Sequence, residues 1–243
     1  MVSALAFAFA GWLFGGFVSG VAGFGGMMMA LPVYTLAMSP TDAVLTCCLI
    51  GGPSCTQLGW LYRKHMVWAD MKWLWLSCIP GCIAGALTLK VIPMNWLQIA
   101  ISLMIAVFVI LQLSQNRTAW RLPDSVHSLL ITGFASGFAN STVSVVGVPI
   151  GIFVLLKKWD KDRARATMSV FFFFCCWMAM LVQWIAGLYT LEHGIMALSG
   201  LAGAFLGQSL GFRVGKNIAQ GLFVKIILSF LSLASVTLFY KAL

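Results

Sequence analysis

Apolar runs separated by charged or Pro/Gly positions divide the chain into eight blocks, at about 2–38, 42–62, 69–91, 95–114, 124–157, 164–187, 190–212 and 218–240. Most approach or exceed the roughly 20 residues that carry a helix across a bilayer, so they predict membrane-spanning helices. The period-2 alternation of a lipid-facing barrel is absent, and the predicted fold is all-α. Blocks one and five are too long for single spans: about 35 helical residues at ~1.5 Å each extend past about 50 Å, against a hydrocarbon core of about 30 Å. Each is predicted to break in the middle, at Gly23-Phe24-Gly25-Gly26 in the first and at Asn140-Ser141-Thr142 in the second. A long arm precedes each break, and a short arm of about a dozen residues follows it, carrying Pro32 or Pro149.

These two blocks are also copies of one another. Gly16 to Val33 (GFVSGVAGFGGMMMALPV) recurs without a gap, 117 positions on, as Gly133 to Ile150 (GFASGFANSTVSVVGVPI). Gly16/Gly133, Phe17/Phe134, Ser19/Ser136, Gly20/Gly137, Ala22/Ala139 and Pro32/Pro149 are identical. Further on, Asp42 to Thr46 lines up with Arg163 to Thr167, and Gly81 and Gly85 with Gly203 and Gly207. The expected organisation is one membrane domain made of two repeats, 1–116 and 122–243, each a broken hairpin segment plus three transmembrane helices, giving 8–10 helices in all. In a membrane protein, Gly/Pro-interrupted segments at matching places in two halves point to a transport site.

Composition agrees. Hydrophobic residues make up 61% of the chain, charged residues 9%, and the mean hydropathy is +0.97, far from soluble usage, where about a quarter of residues are charged. The net charge of +9 would suggest a nucleic-acid partner in a soluble protein. Here most Lys and Arg stand in short connections, where they set orientation in the bilayer, and no nucleic acid is expected. The first 20 residues have no Lys or Arg ahead of them, so no cleaved signal peptide is expected.

Charge also separates an unbroken block from a folded-back one. If all eight blocks were simple spans, six Lys/Arg would face eight across the membrane. If blocks one and five are hairpins, Arg63, Lys64, Lys72, Arg117, Arg121, Lys157, Lys158, Lys161, Arg163, Arg165, Arg213 and Lys216 share one side, against Lys90 and Lys241. Twelve against two obeys the positive-inside rule. The expectation is therefore inverted-topology repeats with both termini non-cytoplasmic.

Non-helical backbone at membrane depth must be shielded by protein or line a watery cavity. Glycine at such a turn accepts positive φ and lets a ligand approach the backbone. Short arms beginning near Gly26 and Thr142 would aim free N–H groups and a positive dipole end at the turn, a site for an anion. The candidate substrate-binding residues are Gly23, Phe24, Gly25, Gly26, Met27, Asn140, Ser141, Thr142 and Ser144, with Pro32, Pro149, Thr46, Arg165 and Thr167 behind them. Gly16-x-x-x-Gly20 and Gly133-x-x-x-Gly137 read instead as close helix packing. All six acids lie at block edges, so neither a buried proton relay nor a cation site is expected; Asp42 reads as a first-turn helix charge. Gln57, Gln98, Gln183 and Gln208 read as cross-links between helices. The seven cysteines lie inside apolar blocks and read as packing thiols, with a sulfur relay as the minor alternative. No His/Cys cluster, HExxH or nucleophile set is visible, so no metal, no cofactor and no enzyme activity are expected.

The segment GFVSGVAGFGG…P, its echo GFASGFANSTVSVVGVP, and the paired Pro80-Gly81…Gly85-Ala86 and Gly203…Gly207 resemble the sulfite exporter TauE/SafE family. Gly23, Gly25, Gly26 and Pro32 match its glycine-rich signature; Met27 replaces a third consecutive glycine, and Asn140-Ser141-Thr142 stands where glycines are usual in the second copy. The resemblance implies a transporter, an exporter in the first instance, of small sulfur-containing anions such as sulfite or organosulfonates, in the lipid bilayer of a bacterial inner membrane. Another small anion, a thiosulfate-type compound, or a non-transporting membrane partner subunit are the alternatives.

Overall fold

The computed structural model describes residues 2–23, 25–62, 68–114, 125–157, 161–215 and 220–242. Among them the chain forms ten helices and no strand: α1 (Val2–Ala22), α2 (Gly26–Ala37), α3 (Pro40–Tyr62), α4 (Trp68–Val91), α5 (Met94–Ser114), α6 (Val126–Val143), α7 (Gly147–Lys157), α8 (Lys161–Ile185), α9 (Leu191–Val214) and α10 (Gln220–Ala242). Blocks one and five each divide into a long and a short helix; the other six blocks are one helix each. Four stretches, Leu5–Ala22, Trp68–Val91, Ala166–Ile185 and Leu191–Val214, are long and apolar enough to cross a bilayer. The chain is an integral membrane protein.

Local chemistry sets the helix boundaries. α1 stops where Gly23 turns to φ 84°, and α2 restarts after Gly25 at φ 91°. The start of α3 carries a capping arrangement: the Ser39 hydroxyl accepts the Asp42 N–H at 3.2 Å and donates to its carboxylate at 2.6 Å, with Pro40 in the first turn, where a missing N–H costs nothing. Asp42 is thus the first-turn charge expected of it. It also accepts from His193 Nε2 at 3.0 Å. The other His193 nitrogen takes the Thr190 N–H at 3.0 Å, which leaves Nε2 as the donor. An ion pair, Arg163 to Asp70 at 2.7 Å, joins the starts of α8 and α4.

Both broken blocks fold back on themselves. Along the first, the Tyr34 hydroxyl donates to the Ala8 carbonyl at 3.1 Å, Gly11 abuts Val33 and Tyr34, and Gly15 abuts Gly26. α2 therefore runs antiparallel to α1. In the second, Phe153 and Lys157 near the end of α7 line one cavity with Ser125, Val126 and Leu129 at the start of α6, so α7 returns toward the beginning of α6.

Glycine seams join these hairpins to the rest. Along α1 and α9, Gly16 lies against the Ala204 carbonyl, Gly20 against that of Gln208, and Gly203, Gly207 and Gly211 against those of Phe9, Leu13 and Phe17. Along α6 and α4, Gly133 and Gly137 lie against the Leu74 and Cys78 carbonyls, and Gly81 and Gly85 against those of Phe134 and Phe138. In both pairs the residue numbers rise together, so the helices are parallel. Only a side chain of one hydrogen allows backbones this close, the arrangement favoured in membranes, where tails give helices no hydrophobic reason to associate. α3 and α8 pack the opposite way: Gly59 meets Phe173, Thr56 accepts from Trp177 Nε1 at 2.9 Å, and Gly52 meets Trp177 and Met180. α5 and α10 exchange reciprocal bonds, each of Ser102 and Ser235 donating to the other's carbonyl at 2.9 Å.

Candidate substrate site

The two breaks meet. Gly25, Gly26, Met27 and Met28 from the first, and Ser144, Val146 and Gly147 from the second, line one cavity of about 30 Å³. Trp12 and Ser19 of α1, Ser54, Cys55 and Leu58 of α3, and Phe172 of α8 complete its wall. One water needs about 10–15 Å³ on this measure, so the space admits about two waters.

Among the described residues no Lys, Arg, Asp or Glu lines the cavity, and the polarity they supply comes from backbone ends and hydroxyls. The first bond of α2 runs from the Met29 N–H to the Gly25 carbonyl at 3.2 Å. The N–H groups of Gly26, Met27 and Met28 consequently have no carbonyl of their own helix to meet. The α7 start at Gly147 adds a second positive dipole end. Two converging helix N-termini in an apolar surround attract an anion and offer nothing to a cation.

The second break lies later than expected. Asn140, Ser141 and Thr142 stay helical in the last turn of α6, and the chain turns at Ser144 (φ 56°, ψ 32°). The cause is residue type: Gly23 and Gly25 take left-handed φ freely, whereas Asn-Ser-Thr carries the helix about one turn further. The Val145 N–H then reaches back to the Ala139 carbonyl at 3.4 Å and the Ser144 N–H to that of Asn140 at 2.9 Å, which satisfies two of the last carbonyls of α6. The short arm starts at Gly147 rather than near Thr142. Ser144 holds the position usually given to glycine and is the one non-glycine with positive φ among the described residues, a strain that clusters at functional sites. Ser144→Gly is expected to leave stability unchanged or raise it by up to about 1 kcal/mol, yet to slow anion flux by removing the hydroxyl. Thermal unfolding in detergent beside proteoliposome flux checks this; wild-type flux would take the hydroxyl out of the site.

Of the expected residues, Gly25, Gly26, Met27 and Ser144 line the cavity. Gly23 is buried at the turn, its N–H donating to the Ser19 carbonyl at 2.8 Å. Phe24 and the Arg165 side chain lie outside the described residues. Asn140, Ser141 and Thr142 are buried but are not among the lining residues: Asn140 Nδ2 donates to the Cys175 carbonyl at 3.3 Å, Gln183 Nε2 donates to that of Ser141 at 2.9 Å, and Thr142 donates to that of Gly85 at 3.2 Å. Pro32 lies inside α2, where its missing N–H leaves the Met28 carbonyl without its helical donor. Pro149 falls in the first turn of α7, where no donor is needed. Thr46 and Thr167 are buried away from the cavity lining, their hydroxyls without protein partners.

Trp12, Ser19, Ser54, Cys55 and Phe172 were not expected at the site. Ser19 was visible as an identity between the two copies, and Ser54 follows the helix-weakening Gly51-Gly52-Pro53. Gln208 acts as the cross-link anticipated for it: its Nε2 donates to the Ser54 hydroxyl at 2.7 Å and carbonyl at 3.2 Å, and to the Ser19 hydroxyl at 3.4 Å. It thereby holds two lining serines of α1 and α3 from α9.

Among known proteins, the family model described as sulfite exporter TauE/SafE matches residues 8–238. Neither a search of the curated proteins nor one of the solved structures returns a match.

Proposed function

Because the chain belongs to the sulfite exporter TauE/SafE family, we propose that it exports sulfite across a bacterial inner membrane by alternating access, with the anion held where the two breaks meet. It acts as a transporter, not an enzyme. The carrying observation is that both interrupted segments, far apart in the chain, contribute N–H-rich helix starts to one cavity that no charged side chain among the described residues lines. The Gly26–Met28 N–H groups, the α7 start and the hydroxyls of Ser19, Ser54 and Ser144 would bind the oxyanion. The small volume favours a compact three-oxygen anion over a longer organosulfonate.

The reading includes two repeats, 1–116 and 122–243, of opposite orientation. Antiparallel α3 and α8 support it, since Cys55 and Cys176, whose sulfurs are 3.7 Å apart, are separated by the same 121 positions that relate Asp42 to Arg163. Each residue meets its own counterpart, as elements do on a two-fold axis. Pairing of α1 with α9 and of α4 with α6 is the reciprocal exchange that such an axis produces. Charge in the connections puts both ends outside the cytoplasm. A reporter fused after Leu243 is expected to read non-cytoplasmic; a cytoplasmic signal would overturn the orientation.

Proteoliposomes loaded with labelled sulfite, and separately with a sulfonate carrying an organic tail, test the substrate. Sulfite efflux above protein-free vesicles, with slower sulfonate efflux, is expected. Flux of an unrelated solute with none of any sulfur anion would reject the substrate class.

A further inference from the structure

A cluster away from the transport cavity has no part in anion binding. Cys78 and Cys82, on successive turns of α4, and Cys175 on α8 are fully buried, and their three sulfurs lie within 4.8 Å of one another. Cys78 and Cys82 are 3.7 Å apart. We propose that these three thiols form a binding site for a soft monovalent metal ion, Cu(I).

The geometry fits a trigonal ion: a metal about 2.3 Å from each sulfur sets the sulfurs about 4 Å apart. The ligand type fits as well, because sulfur donors select soft ions such as Cu(I). Charge decides between ions. No Asp, Glu, Lys or Arg stands on α4 between Lys72 and Lys90, on α6, or on α8 beyond Arg165, so an uncompensated charge here would be costly. One thiol bonds the ion and releases its proton to solvent, R–SH + Cu⁺ → R–S–Cu + H⁺, while the other two donate lone pairs as neutral thiols. The assembled site is uncharged. Zinc would require two thiolates and a fourth ligand to complete its tetrahedron.

The scaffold does not itself require sulfur at these places. On the register that pairs Gly81 with Gly203 and Asp42 with Arg163, the other half of the molecule fills the matching places with Gly200, Ala204 and Ser54. The neighbouring face of α6 closes the cluster: Cys175 Sγ donates to the Ser136 carbonyl at 3.9 Å, and Gly137 lies against the backbone of Cys78 and Cys82. The buried Ser136 hydroxyl beside it has no protein partner.

Anaerobic titration of the purified protein in detergent, with Cu(I) buffered by a competing chelator, tests the site. One Cu(I) per chain is expected, and X-ray absorption on the wild-type protein should give three sulfur neighbours at about 2.3 Å. C78A/C82A should lose that ion and C55A/C176A should keep it. If C78A/C82A aggregates on size exclusion, Cys175→Ser replaces it, with the same loss expected. No binding by the wild type, a shell of two sulfurs or of nitrogen and oxygen, or retention of the ion by the α4 or α8 variant would each overturn the assignment.

Discussion

Replacing Gly25 by valine is expected to abolish anion flux in proteoliposomes while insertion and abundance stay close to wild type. The position has φ 91°, and a Cβ built there meets nothing within 4 Å. Packing does not reject a side chain; the left-handed backbone does, at about 1–2 kcal/mol for an L residue and more for a β-branched one. Gly25 also lines the cavity, so valine methyl groups would occupy the open space in front of the α2 N–H groups. Hydrogen bonds to a charged partner are worth about 1.5–3 kcal/mol each, so shielding one costs about tenfold or more in anion binding. Both effects act on the site. Wild-type flux from an inserted Gly25→Val protein would remove this turn from the binding site.

Gly207→Ala acts through packing instead. Its Cβ would press on the Leu13 carbonyl and lie 2.7 Å from the Phe17 nitrogen, both backbone atoms of α1 that cannot rotate away. The seam between α1 and α9 must open along its length. Overpacking of this kind costs about 1–3 kcal/mol, so a lower unfolding temperature in detergent and reduced flux are expected together. Gly151→Ala is the control: helical, with nothing within 4 Å of its built Cβ, it should be neutral or stabilising by up to about 1 kcal/mol through helix propensity. Equal destabilisation by the two variants would show that the seam is not what limits stability.

The interrupted blocks were legible because length and Gly/Pro placement are local. Gly23 and Gly25 marked the first break closely. The second was located three or four residues early, because Asn140, Ser141 and Thr142 tolerate helical backbone and the turn falls on Ser144, a residue with no intrinsic preference for left-handed φ. The hairpins were legible from charge, since folding back was the arrangement expected to gather most Lys and Arg on one side. The GxxxG seams could be read as packing, but not which helix each would face.

Other parts of the site carry no local mark. Ser54 joins the wall only because α3 passes beside both breaks and Gln208, 154 residues away in sequence, bonds to it. Cys78, Cys82 and Cys175 look like scattered small apolar residues until α4 and α8 bring them together.

Hydropathy runs, block lengths, charge asymmetry and internal duplication thus determined, from sequence alone, a helical membrane protein with two broken segments and a resemblance to one transporter family. Each of these properties depends on residues close along the chain, or on comparing one stretch with another. Which side chains share a cavity depends on contacts between helices distant in sequence, set by how closely glycine lets backbones approach. That selection belonged to the tertiary structure: it turned Asn140 and Thr142 toward α8 and α4, and left Ser144, Ser19 and Ser54 facing the space between the breaks.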